Sequence, residues 1–226
     1  MATDRDQRLR TLEAARLYFV CDGLPGGRDA GPLLDAALRG GADIVQLREK
    51  APRRAEELIA FADPFRRAAT EHRALFILND RPDLVAACGA DGVHVGQEDM
   101  PVAEARQLAG PEALVGLSTH SRQQVEAACA AAGVDRPDQI SVGPVWATPT
   151  KEGRPGTGLG LIEYAASEAT VPWFAIGGIN TRNVSSVVSA GAERIVVVRA
   201  LRDAEDPAAA ARRLREALEA GVGAAR

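Results

Sequence analysis

The chain has 226 residues, 46% hydrophobic and 26% charged, which fits a folded globular protein and excludes a disordered or collagen-like one. Its net charge of −4 argues against a general nucleic-acid-binding surface, and no apolar run approaches the ~20 residues needed to cross a membrane. Cys21, Cys88 and Cys129 lie far apart with no Cys-x-x-Cys spacing, which speaks against a disulfide framework or a zinc site. Met1 to Arg10 lacks the apolar stretch of a secretory signal, so a cytoplasmic protein is expected.

Residues 1–12 read as an arm or short helix covering one end of a single domain that spans 13–226. From Leu17 onward, eight short aliphatic runs recur: Leu17–Val20, Ile44–Leu47, Leu75–Leu78, Val93–Val95, Leu114–Leu117, Ile140–Val142, Trp173–Ile176 and Ile195–Val198. Most are continuously apolar, as parallel strands buried on both faces are. Amphipathic stretches lie between them: Pro32–Arg39, Arg53–His72, Val102–Leu108, Arg122–Ala132 and Thr181–Ala190, with Pro207–Ala220 after the last run. Pro32, Pro52, Pro82, Pro101 and Pro207 suit first helical turns, where the missing N–H costs nothing. Gly41, Gly89 and Gly191, each followed by Ala and an acid, suit left-handed helix ends before the next strand. Eight such units with no linker predict an α/β fold, a single (β/α)8 TIM barrel; a doubly wound open sheet is the competing arrangement.

Barrel chemistry sits at the C-terminal ends of the strands. Here the second run ends Gln46-Leu47-Arg48-Glu49-Lys50, the third Asn79-Asp80-Arg81, and the fourth continues to Gln97-Glu98-Asp99. The fifth ends Ser118-Thr119-His120, and the sixth leads into a Gly/Pro-rich loop holding Thr148, Pro149, Thr150 and Lys151. The seventh ends Gly177-Gly178 and the eighth Val198-Arg199. Gln46, Arg48 and Lys50 alternate and so point one way, suiting a ligand with several anionic oxygens. Lys50 and Lys151 are the only lysines among 27 basic residues, which marks them as places where a compact charge is needed. Asp80 and Asp99, at neighbouring strand tips, have the oxygen chemistry of a shared Mg2+ site. The competing readings are an Asp80–Arg81 pair and a helix-start acid at Asp99. Gly178 with Arg199 nearby resembles a phosphate cradle. His94 reads as a core residue and His120 as a candidate at the mouth.

The motifs Val45–Lys50, Asn79–Arg81, Gly92–Asp99, Gly116–His120, Gly143–Lys151 and Ala175–Ile179, in this order, are similar to those of the thiamine phosphate synthase (thiamine-phosphate pyrophosphorylase) family. The resemblance implies a (β/α)8 barrel. It also implies a transferase that joins 4-amino-2-methyl-5-hydroxymethylpyrimidine diphosphate to 4-methyl-5-(2-hydroxyethyl)thiazole phosphate, giving thiamine phosphate and diphosphate with Mg2+. On that resemblance, Gln46, Leu47, Arg48, Glu49, Lys50 and Asn79 are pyrimidine diphosphate contacts, and Asp80 and Asp99 the Mg2+ ligands. Ser118 is a pyrimidine contact, Thr148, Pro149 and Thr150 thiazole phosphate contacts, and Lys151 a diphosphate contact. Gly178, Val198 and Arg199 complete the thiazole phosphate site. Arg48, Lys50, Ser118 and Lys151 carry the chemistry, which proceeds by dissociative loss of diphosphate. One position departs from the family pattern: Arg199 stands where a small hydroxyl residue is usual, so it either adds charge to the phosphate or turns away. Two rivals are a thiazole tautomerase-like isomerase, kept open by His120, and a catalytically silent barrel that only binds a phosphorylated ligand. The expected partners are phosphorylated small molecules, not nucleic acid or membrane; a homo-oligomer is left open.

Overall fold

The computed structural model describes residues 4–49, 51–148 and 155–224. After helix α1 (Asp4–Ala14), strands β1 (Leu17–Cys21), β2 (Ile44–Leu47), β3 (Leu75–Asn79), β4 (Gly92–Val95), β5 (Leu114–Thr119), β6 (Gln139–Val142), β7 (Trp173–Ile176) and β8 (Ile195–Val197) follow in chain order. Each pairs in parallel with the next, and β8 returns to β1, so the sheet closes into a barrel. Between them run α2 (Gly31–Arg39), α3 (Ala55–His72), α4 (Val85–Cys88), α5 (Val102–Ala109), α6 (Arg122–Ala130), α7 (Gly160–Glu168) and α8 (Val184–Ser189). Helices α9 (Arg199–Arg202) and α10 (Pro207–Ala224) follow β8.

The alternation of strand side chains divides the apolar residues into two clusters. Leu17, Phe19, Val45, Leu47, Phe76, Leu78, Val93 and Val95 point outward and are covered by the helices. Tyr18, Val20, Ile44, Leu75, Ile77, Leu114, Phe174 and Val196 fill the barrel interior, where the Tyr18 and Phe174 rings meet edge to face at 5.6 Å. Farther along the same inward positions the residues turn polar: Gln46, Asn79, His94, Ser118 and Ser141. Strand direction thus sets an apolar floor below a polar mouth.

Helix boundaries follow local chemistry. Pro52 falls outside α3, contrary to the expectation from sequence. The helix starts at Ala55, where the Arg54 N–H donates to Glu57 Oε2 at 3.1 Å. Pro64 lies inside α3, removing one backbone donor from its ladder. Helix α8 begins at Val184 rather than at Thr181, because residues 180–183 form a separate turn that serves the mouth. Gly89 takes the left-handed helix end (φ 63°) that its position suggests.

Candidate active site

A cavity of about 390 Å3 opens at the C-terminal ends of the strands, and Gln46, Arg48, Asn79, Asp80, Asp99 and Ser118 lie in its wall. Tyr18 and Val20 form part of its base, with His94, His120 and Ser141 around the interior. Gln46 is buried, and its Nε2 donates to Tyr18 Oη at 2.6 Å. That bond fixes the amide and leaves Oε1 as an acceptor. Burial raises the Tyr18 phenol far above its ordinary range, so it stays neutral.

The acidic pair does meet. The Asp80 and Asp99 carboxyls line the same cavity, close enough for the charge of Asp99 to act on Asp80. Asp80 is pushed up to about 6, first by burial and then by the Asp99 charge, against the lowering effects of Arg48 and of the Asn79 amide that donates to it. Arg81 instead grips Asp83 through two bonds of 2.8 and 2.7 Å, so it does not neutralise Asp80. Asp99 precedes α5 and accepts from the Gly96 N–H at 2.8 Å. A Cβ on Gly96 would come within 2.6 Å of the same oxygen. Two hard, acceptor-only groups held together against their repulsion fit an oxygen-seeking divalent cation.

A second hollow of about 660 Å3 adjoins the first, sharing Thr148, Gly177, Val196 and Val198 with it. Gly178, Arg199, Arg182 and Arg213 line it, the last from α10. Gly177 and Gly178 have φ of 108° and 72°, and a Cβ on Gly177 would lie 2.4 Å from Pro144 Cα. Only glycine fits that turn. Its carbonyls are tied back: Trp146 N donates to Gly177 O at 3.2 Å, and the Asn180 and Asn183 amides donate to Gly178 O at 3.1 and 3.0 Å. The result is a fixed backbone turn in a hollow whose wall holds Arg182, Arg199 and Arg213 together with Asp203, Glu205 and Asp206, and the turn with the arginines suits a phosphate.

Of the residues singled out from sequence, Gln46, Arg48, Asn79, Asp80, Asp99, Ser118 and Thr148 surround the first cavity, and Gly178, Val198 and Arg199 the second. Two are turned elsewhere. Leu47 packs outward under the helices, and Glu49 accepts from Gly23 N–H at 2.7 Å and pairs with Arg53 at 3.3 Å. Lys50, Pro149, Thr150 and Lys151 lie outside the described residues. Tyr18, Ser141, Arg182 and Arg213 were not anticipated. Ser141 had a signal, a polar residue within an apolar run; the arginines had none, because only the folded chain brings the turn before α8 and helix α10 to the mouth.

A family model described as thiamine monophosphate synthase matches residues 17–201. The chain belongs to the thiamine monophosphate synthase family. Among its relatives, a thiamine-phosphate synthase of Arthrobacter sp. (strain FB24) is 48% identical over 93% of this chain and 97% of that protein. One from Acidothermus cellulolyticus is 49% identical over 89% of this chain and 93% of its own. The solved thiamine phosphate pyrophosphorylase from Pyrococcus furiosus superposes with a TM-score of 0.82 at 30% identity, covering 94% of this chain and 99% of that one. This family member therefore shares both length and barrel with its relatives. None of its described helices is long and apolar enough to cross a membrane.

Proposed function

We propose that the protein is a thiamine-phosphate synthase. It couples 4-amino-2-methyl-5-hydroxymethylpyrimidine diphosphate with 4-methyl-5-(2-hydroxyethyl)thiazole phosphate, releasing thiamine phosphate and diphosphate. The observation that carries the reading is the pair of adjoining hollows: one with an acidic pair beside Arg48, the other with a glycine turn among arginines. Two phosphorylated substrates need two such sites sharing a wall.

Asp80 and Asp99 would hold Mg2+, which when bound supplies positive charge to the oxygens of the departing diphosphate. Arg48, with Lys50 and Lys151 from the family resemblance, neutralises the same group as the carbon–oxygen bond breaks. Gln46 Oε1 accepts from the ring amino group, and the Ser118 hydroxyl addresses the same ring. The second hollow anchors the thiazole phosphate through Gly178, Thr148 and Arg199, where Arg199 adds a cation to those of Arg182 and Arg213. Holding the thiazole nitrogen in line with the reacting carbon replaces a bimolecular encounter by an oriented one. The step needs no nucleophile–base pair, because the protein forms no covalent bond.

His120 is the feature that favours a tautomerase-like alternative. It lines the first cavity, with Nδ1 held by the Gly143 carbonyl. An isomerase of one phosphorylated thiazole leaves the acidic pair without work. The test is to incubate purified protein with both substrates and Mg2+ and to assay thiamine phosphate and diphosphate. Coupled product should form, and Asp80→Ala should lower turnover by about a hundredfold. Isomerised thiazole without coupled product points to the tautomerase, and binding without either product to a silent barrel.

A further inference from the structure

Beneath the mouth, a buried polar chain runs across the barrel interior. On β6, Gln139 and Ser141 face inward, and Gln139 is only 4% exposed and outside the cavity wall. Its Nε2 donates to His94 Nδ1 at 3.0 Å. His94 Nε2 in turn stands 3.0 Å from Ser118 Oγ, with Ser141 Oγ flanking at 3.4 Å. The space for this meeting exists because residue 116 is glycine. A Cβ there would lie 2.1 Å from Gln139 Nε2 and 2.5 Å from His94 Nδ1.

A neutral imidazole has one N–H. If Nδ1 accepts, the proton is on Nε2 and that nitrogen donates. Ser118 Oγ then accepts from below and keeps its own proton for the cavity. With the other tautomer Ser118 would donate to His94 and present a lone pair instead. The difference matters for a substrate whose aminopyrimidine ring offers acceptor nitrogens beside an amine. Gln46 Oε1 takes the amine, and a hydroxyl donor takes a ring nitrogen. The amide orientation at Gln139 has its own support. Its Oε1 is buried with no hydrogen-bond partner among the described residues. Turned over, the amide would bury an unpaired NH2 group, and orphaned donors are rarer in folded proteins than under-used carbonyls.

We propose that Gln139 is a positioning residue that, through His94, fixes Ser118 as a hydrogen-bond donor to the pyrimidine ring. This rests on the coupling reaction proposed above. The chain has only three histidines, so imidazole 15N spectra can be assigned with a His94→Gln control. In substrate-free wild type, the His94 proton should reside on Nε2. Gln139→Met, close in volume but without a donor, should yield a mixture of both tautomers. It should also raise KM for the pyrimidine diphosphate about tenfold while leaving KM for the thiazole phosphate unchanged. A wild-type proton on Nδ1 overturns the inference, even if no variant folds. So does a folded Gln139→Met whose pyrimidine KM stays within about twofold of wild type. A wild type that makes no thiamine phosphate sinks the coupling reading itself; an active wild type carrying the wrong tautomer sinks only this inference.

Discussion

Asp80 combines two costs at one position. Its backbone is left-handed, with φ 60°, and its carboxyl is crowded by Asp99 and raised from 3.8 to about 6. Asp and Asn tolerate that backbone better than most residues, so Asp80→Asn keeps the turn while removing the charge. The sign of the effect follows from proton binding. A carboxyl whose affinity for its proton is higher in the folded chain favours folding when protonated. That contribution is complete below about pH 3.8 and is lost as pH rises through about 6. Asp80→Asn should therefore stabilise the metal-free protein at about pH 7.5, by about 1 kcal/mol once solvent screening at the rim is allowed for, with little gain at about pH 4. Urea unfolding with EDTA at both pH values checks it; an equal gain at both would remove the electrostatic account. Asp80, Asp99 and Arg48 were marked in the sequence as charges following aliphatic runs, each with a competing reading, and the folded chain brings the three to one cavity. Tyr18 and Gln139 were not so marked. An aromatic in a strand reads as core, and a glutamine opening a strand reads as solvent-facing until the closed register turns it inward.

Among the elements, three of the four even strands carry a recurring clamp at the end opposite the mouth, while β8 is preceded by Arg194. Asp43, Asp91 and Asp138 directly precede β2, β4 and β6. Each donates its backbone N–H to a carbonyl of the preceding strand, at Leu17, Phe76 and Val115, and its carboxylate accepts the N–H of that same residue. Each also receives an arginine: Arg215 from α10, Arg8 from α1, and Arg5 with Arg106 on Asp138. Helix α1 is thus pinned beneath the barrel, with Arg5 and Arg8 also donating to the Ala113 and Glu112 carbonyls. Asp138, whose side chain is 8% exposed, accepts from one backbone N–H and two guanidiniums. Asp138→Ala should lower the unfolding free energy by about 3 kcal/mol, since it strands a buried N–H and two charges. Asp63→Ala, which removes half-exposed pairs along α3, should cost no more than about 0.5 kcal/mol. Urea midpoints of the two variants decide between them, and comparable losses would mean the clamp contributes nothing special. The eight strand runs and the Gly-Ala-Asp endings were plain in the sequence because parallel strands are uniformly apolar. The clamp was not, because an acid before a strand gains meaning only from the neighbour it faces.

At the scale of the whole molecule the two ends of the barrel differ: polar crowding at the mouth forms the proposed ligand site, and saturated clamps at the base hold the fold. This separation makes ligand-linked stability a discriminating test of the site. A ligand that binds only the folded chain stabilises it by RT ln(1 + [L]/Kd), about 2.7 kcal/mol at a hundredfold excess over Kd. For a chain of this length that corresponds to a rise in Tm of about 5–10 °C. Diphosphate with Mg2+ should produce such a rise, and EDTA should abolish most of it, because the anion then meets two carboxylates without an intervening cation. Asp138→Ala should start from a lower Tm and show the same increment, since its lesion is at the far end of the strands. Asp80→Asn should start from a higher Tm at about pH 7.5 and show only a small increment, having lost one of the two oxygen ligands proposed for the cation. A full increment in Asp80→Asn would place the metal elsewhere. A reduced increment in Asp138→Ala would mean that base and mouth are coupled through the strands rather than independent.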